Sequence, residues 1–142
     1  MVAGDFDSLK DNVRLEFEKA GTQFHQDHDQ DTSDFDKSMH IISEYEMQHD
    51  VALGVLALGG LGGRVDQSFS SIHQLYKCSP KRDLFLLSQK SLTCLLPTGA
   101  NKIYASKATF GPTCGIVPTS GPTTITLQGF KWDLSIPLYI LL

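Results

Sequence analysis

Three short stretches of the chain hold the side chains best suited to chemistry. Asp5 and Asp7 flank Phe6; Asp27, Asp29, Asp31, Asp34 and Asp36 crowd together with Gln30, Thr32 and Ser33 among them; and residues 59–67 read GGLGGRVDQ. Two carboxylates ~4 Å apart repel by roughly 4 kcal/mol at an effective dielectric near 20, so Asp5 and Asp7 require a cation, a shared proton or separation in water. Aspartate is a poor helix former and a good ligand for hard cations, which shifts the two clusters toward metal binding while solvated turns stand as the plain alternative. Helical spacing sets Asp34 and Lys37 on neighbouring turns at a helix N-terminus, where phosphate is attracted and a lysine reinforces the attraction. In the third stretch, four glycines in five positions admit a close-lying ligand. Arg64 suits phosphate there, and Asp66 suits a metal. Two familiar nucleotide motifs do not fit: Gly63-Arg64-Val65 is no P-loop ending, and the dinucleotide fingerprint needs glycine where Val65 stands.

Other reactive residue types form no set. His25, His28, His40, His49 and His73 lack zinc-ligand spacing, and Ser70 and Ser71 beside His73 lie in a helical pattern rather than on a nucleophile elbow. Cys78, Cys94 and Cys114 are odd in number and contain no CxxC pair, which points to reduced thiols in the cytosol. Trp132, the single tryptophan, has core packing as its default role and stacking on a flat or cationic ligand as the sharper one.

These side chains need elements to carry them. An apolar run over residues 51–58 enters the glycine stretch, and a helix with Val65, Phe69, Ile72 and Tyr76 on one face leaves it. Strand, turn and amphipathic helix in that order set a ligand at the carboxyl end of a strand. Ser8 with Asp11 is a variant capping box, Leu9, Val13, Phe17 and Ala20 predict a helix, and Gly21 ends it. A short strand is expected over 22–25. Thr32 or Ser33 then caps a helix whose apolar face is Phe35, Met39, Ile42 and Tyr45. With a strand over 84–88, the alternation predicts a parallel α/β sheet. The run CSPKRD at 78–83 reads as a polar connection. From Ser91 onward helical patterns stop, and short strands are expected over 91–96, 102–106, 113–117, 123–127 and 130–134, with PTGAN, FGPT and TSGP as turns. The fold class is therefore α/β, a partial parallel-sheet domain over 1–90 followed by a partial all-β sandwich domain over 91–142. The chain closes on the uncharged IPLYILL.

Composition narrows the function. The 142 residues carry a net charge of −4, but residues 1–50 hold 13 acidic against 4 basic side chains and residues 51–142 hold 3 against 8. No basic face of useful size arises, so nucleic acid is not an expected partner. No uninterrupted apolar run is long enough to span a bilayer, and the opening MVAGDFDS lacks the features of a signal peptide, so a cytoplasmic, membrane-free protein is expected.

Taken together, GDFDS (4–8), DQDTSDFDK (29–37) and GGLGGRVDQ (59–67) resemble the signature blocks of the eukaryotic thiamine pyrophosphokinases, and SLTCLLPTGANKI, GPTCGIVP and GFKWDL are similar to that family's thiamine-binding half. The resemblance implies transfer of pyrophosphate from ATP to thiamine, giving thiamine diphosphate and AMP, with Mg²⁺ as cofactor. It further implies a homodimer whose sites form between the catalytic half of one subunit and the β half of the other. Residue by residue, it assigns Asp5, Asp7 and Asp34 to the metal and makes them catalytic together with Arg64 and Asp66. Gln30, Ser33, Lys37, Arg64 and Gln67 go to the nucleotide, and Trp132 goes to thiamine.

Departures from the family pattern shape further expectations. Ser33 stands where threonine is usual, and Asp36 stands where a neutral residue is usual, adding negative charge beside a phosphate site. The family's segment before GDFDS, with an Ala-Asp-Gly-Gly turn, has no counterpart here, and IPLYILL replaces its later strands. A chain truncated at both ends is expected to expose sheet edges, to associate, and to turn over weakly or not at all. The alternative reading is a non-catalytic thiamine- or nucleotide-binding or dimerisation fragment.

Overall fold

The computed structural model describes residues 1–7, 9–79 and 81–138, the last three of these as backbone only. Its elements run β1 (Val2–Gly4), α1 (Asp11–Lys19), β2 (Phe24–Gln26), α2 (Asp34–His49), β3 (Val55–Leu58), α3 (Val65–Cys78), β4 (Leu84–Leu87), β5 (Leu92–Cys94), β6 (Thr123–Thr126) and β7 (Ser135–Leu138). Two compact units result, one over Met1–Asn101 and one from Lys102 onward. The division falls later than the expected change at residue 90, because β5 adds to the first unit by pairing antiparallel with β4, Phe85 opposite Cys94.

The first unit has the expected α/β character, in two sheets. β1 pairs parallel with β2 from Val2 opposite Phe24 to Gly4 opposite Gln26, and β3 pairs parallel with β4 from Val55 opposite Leu84 to Leu58 opposite Leu87. β5 adds an antiparallel edge to the expected parallel pairing, and the strand expected over 51–58 narrows to its second half. Met39, Leu75, Cys78, Leu84 and Leu86 form the core, with Phe35, Ile42 and Val55 packed on it. Leu86 is fully buried, and burying such a side chain stabilises the fold by about 1.5–3 kcal/mol. Leu86→Ala, which leaves a cavity as well, is the single change that damages this core most.

Local chemistry explains where the helices begin. Ser33 caps α2: its extended backbone places Oγ 3.1 Å from the Asp36 N–H, and Asp34 and Asp36 in the first turn complement the helix dipole. The Ser8 capping box lies outside the described residues, and α1 starts behind Lys10 with no side-chain cap. No residue of α1 is buried, and Phe17 is 43% exposed, so its apolar pattern does not serve as a core face. Gly59, Gly62 and Gly63 all take positive φ, a conformation that glycine allows and that turns the chain between β3 and α3.

α3 is rotated relative to expectation. Ser71, Gln74, Leu75 and Cys78 face inward, while Val65 and Phe69 are 68% and 64% exposed. Leu75 and Cys78 supply the apolar contact, and the Gln74 amide is buried at low cost because it bonds to Asp36. Tyr45, expected on the buried face of α2, instead stacks on His49 at its exposed end.

In the second unit β6 and β7 form an antiparallel hairpin, Thr126 opposite Ser135. Residues 102–106, 113–117 and 130–134 are not strands. Their glycine- and proline-rich surroundings bury no described side chain, so strand propensity there has no core to pack on. The IPLYILL stretch enters β7, and its residues 139–142 lie outside the described residues. Cys78 is buried and Cys114 exposed, both as free thiols, and no helix among the described residues is long and apolar enough to cross a membrane.

Candidate functional site

The end of β1 and the starts of α2 and α3 meet around a cavity of about 270 Å³ lined by Asp5, Ser33, Asp34, Gln67, Ser70 and Ser71. Each of the three sequence blocks therefore contributes to one place. Gly4 makes this approach possible: its φ is +147°, and a Cβ there would lie 2.9 Å from Asp34 Oδ1. Phe6, with φ 66°, then turns the chain so that the Asp7 N–H donates to Asp5 Oδ1 at 3.1 Å. Gln30 Nε2 donates to Asp5 Oδ2 at 3.3 Å, and Gln26 Nε2 donates to the Asp5 carbonyl at 3.1 Å. The Asp7 N–H, then the Gln30 amide and the Lys37 charge, hold the Asp5 carboxyl below the usual range.

Lys37 is turned inward. Its side chain is 4% exposed, with Nζ donating to the Asp27 carbonyl at 2.9 Å and lying 3.8 Å from Asp34 Oδ1. It thus fixes the loop before α2 while lending positive charge to Asp34, whose own side chain is 64% exposed. Asp29 is bound up in its own loop, where the Asp31 N–H and the Thr32 hydroxyl both donate to it and keep its carboxyl low. Arg64 and Asp66 do not line the cavity. They grip each other through two bonds, Nε to Oδ1 at 3.1 Å and Nη2 to Oδ2 at 2.5 Å, both side chains exposed. Each holds the other in its charged form, lowering the Asp66 pKa and raising that of Arg64.

Asp36 behaves differently from expectation. It does not line the Asp5–Asp34 cavity; its Oδ1 accepts from Gln74 Nε2 at 2.9 Å and from Lys77 Nζ, and its Oδ2 accepts from the Ser33 hydroxyl at 2.7 Å. Burial opposes its charge, but the bonds from Lys77, Gln74 and Ser33 outweigh burial and hold its carboxyl far below the usual range. The extra negative charge is therefore matched within the protein. In the second unit, Trp132 is 73% exposed, which rules out its default core role, and Lys131 Nζ lies 4.7 Å from the ring centroid.

Residues 1–87 match the family model of the thiamin pyrophosphokinase catalytic domain, and residues 100–137 match that of the thiamin pyrophosphokinase vitamin B1 binding domain. The chain belongs to the thiamin pyrophosphokinase family. It is 36% identical over 138 residues to thiamine pyrophosphokinase 3 of Oryza sativa subsp. japonica, covering 94% of this chain and 51% of the relative. It is 37% identical over 139 residues to thiamine pyrophosphokinase 2 of Arabidopsis thaliana, covering 95% and 52%. The chain thus spans about half the length of these relatives. Among solved structures, a Candida albicans thiamin pyrophosphokinase aligns with TM-score 0.58 at 26% identity over 63% of this chain and 42% of that one. A Bacillus subtilis thiamine pyrophosphokinase shares the fold with TM-score 0.72 at 23% identity over 97% of this chain and 63% of that one.

The family implies a divalent cation, and the donor chemistry can be compared with it. Among the described residues, no three acidic, histidine or cysteine side chains are grouped to hold a metal, so Asp5, Asp7 and Asp34 are not assembled as three protein ligands. Asp5 and Asp34 nevertheless offer carboxylate oxygens to one cavity, and Mg²⁺ usually takes one or two carboxylates along with waters and substrate phosphates. The two carboxylates fit such an ion. Sequence reasoning missed Gln26, Ser70 and Ser71 as site residues. The two serines were within reach, because residues three and four beyond Gln67 share its helix face.

Proposed function

We propose that this chain carries the catalytic machinery of a thiamine diphosphokinase, moving the terminal pyrophosphoryl group of ATP onto the hydroxyethyl oxygen of thiamine. The observation that supports this reading most is the cavity that gathers Asp5, Ser33, Asp34 and Gln67, with Gln30 bonded to Asp5 and Lys37 beside Asp34. In the reaction the thiamine oxygen bonds to the β-phosphorus, the bond from that phosphorus to the α,β-bridging oxygen breaks, AMP leaves, and the hydroxyl proton is lost to a base. Little covalent work falls to the protein in such transfers, which depend on positioning and charge stabilisation.

The residues divide that work. Mg²⁺ held by Asp5 and Asp34, the two acids that line the cavity, would neutralise phosphate charge when bound. The start of α2 behind Ser33 attracts phosphate, the Gln67 amide offers donors to its oxygens, and Gln30 orients Asp5. Arg64 reaches phosphate by leaving Asp66, which exposure of both groups permits. The exposed face of Trp132 suits a thiazolium cation, for which Lys131 now stands in over the ring. A homodimer and a cytoplasmic location belong to the same reading.

Turnover by the purified chain with ATP, Mg²⁺ and thiamine, weak as it is expected to be, should yield AMP and thiamine diphosphate in equal amounts. Formation of ADP and thiamine monophosphate would contradict the reading. So would the absence of both product and Mg²⁺-dependent nucleotide binding.

A further inference from the structure

The walls of the Asp5–Asp34 cavity belong to different helices: Ser33 and Asp34 stand at the start of α2, and Gln67, Ser70 and Ser71 on the first turns of α3. No covalent feature fixes the distance between them. One turn further along each helix sits Asp36, 23% exposed at its side chain, joined to Gln74, which is 3% exposed, and to Lys77. The same carboxylate closes a local ring with Ser33, accepting from its hydroxyl while the Asp36 N–H donates back to Ser33 Oγ. One side chain therefore bonds the cap of α2 and the middle of α3 at once.

We propose that Asp36 is a positioning residue that ties the first turn of α2 to α3 and so sets the separation of the two cavity walls. Its importance for activity rests on the phosphate-transfer reading above; the tie itself rests on the bonds described. A second polar tie, at the far end of α2, supplies the comparison. There Arg82 Nη2 donates to Ser43 Oγ at 2.8 Å and to Glu46 Oε2 at 2.6 Å. Both ties hold α2 to the segment of chain that includes α3, but only the Asp36 tie lies beside the cavity.

The test compares Asp36→Ala with Ser43→Ala by site-resolved amide hydrogen exchange and by binding of a non-hydrolysable ATP analogue with Mg²⁺. Asp36→Ala is expected to speed exchange about tenfold in residues 33–37 and 67–71 beyond any change elsewhere, and to weaken analogue binding about tenfold or more. Ser43→Ala is expected to lower stability with analogue affinity unchanged. A merely structural role for Asp36 predicts the same pattern for both variants, and that result overturns the proposal. Should Asp36→Ala not fold, Asp36→Asn, which keeps the shape and an acceptor, is read in the same way. If the wild-type chain binds no analogue, the exchange data alone decide: loosening confined to the two walls upholds the tie and leaves only the phosphate-transfer reading refuted, while uniform or unchanged exchange overturns the tie.

Discussion

Replacing Gly4 by alanine separates the cost of backbone strain from the cost of disturbing the site. Gly4 has φ +147° and Gly21 has φ +73°, both in the region that L-residues avoid. Forcing alanine into such a conformation costs roughly 1–3 kcal/mol at either position. The surroundings differ. Nothing lies within 4 Å of a Cβ built at Gly21, whereas one at Gly4 meets Asp34 Oδ1 at 2.9 Å, Cγ at 3.1 Å and Oδ2 at 3.3 Å. Ordinary contact begins near 3.4 Å, so the carboxylate must retreat by about half an ångström. Asp34 is an exposed side chain and can retreat cheaply, so the fold loses little beyond the strain. The site loses more, because misplacing a positioned group by a fraction of an ångström to one ångström costs on the order of 10- to 100-fold. Urea unfolding should therefore show similar losses for Gly4→Ala and Gly21→Ala. Calorimetric titration with Mg²⁺ and an ATP analogue should show weakened binding for Gly4→Ala alone. Equal affinities in the two variants would refute the placement of Asp34 at the ligand.

Lys37→Met keeps the buried stem but leaves the Asp27 carbonyl without its donor, and should cost roughly 1–3 kcal/mol in urea unfolding along with weaker nucleotide binding. The Asp36 carboxyl is depressed in the folded protein, so its contribution to stability is complete above the unfolded value near 4 and is lost as pH falls below it. Stability followed by urea unfolding from pH 7 to about pH 2.5 should therefore decline less steeply below pH 4 in Asp36→Asn than in the wild type. Trp132→Ala should change stability by no more than about 0.5 kcal/mol, since the ring is largely exposed. Thiamine should quench Trp132 fluorescence, and more strongly in Lys131→Met, where no resident cation competes for the ring face.

Features set by near neighbours in the chain were legible. Ser33 as a cap, the turn at Gly59–Gly63 and the Met39 face of α2 all follow from residues within a turn or two of one another. The inward face of α3 was not. Its residues make two stripes, one through Val65, Phe69 and Ile72 and one through Ser71, Gln74, Leu75 and Cys78, and the first is the more apolar. The inward stripe combines the packing of Leu75 and Cys78 in the core with the bond from Gln74 to Asp36, 38 positions away, which no periodicity records. The strand expected over 123–127 forms as β6, paired with β7, whereas those over 102–106, 113–117 and 130–134 do not form, with no described side chain of that unit buried to reward them. Asp5, Ser33, Asp34 and Gln67, drawn from three separate blocks, line one cavity, whereas Arg64 and Asp66 turn to each other across two positions.

The acidic first third of the chain follows a principle that spacing alone did not reveal. Clustered carboxylates must each find a donor, and here the donors are assigned unevenly. Asp5 receives the Asp7 N–H and the Gln30 amide, Asp29 receives the Asp31 N–H and the Thr32 hydroxyl, and Asp36 receives Ser33, Gln74 and Lys77. Asp34, pressed against Gly4, has the Lys37 ammonium as a near charge at 3.8 Å, beyond hydrogen-bond distance. Asp29 and Asp36 are thereby occupied in shaping the loop and the helix start. Asp5 and Asp34 both line the cavity, and of the two Asp34 keeps more oxygen lone pairs available to it, since each Asp5 oxygen already accepts a bond.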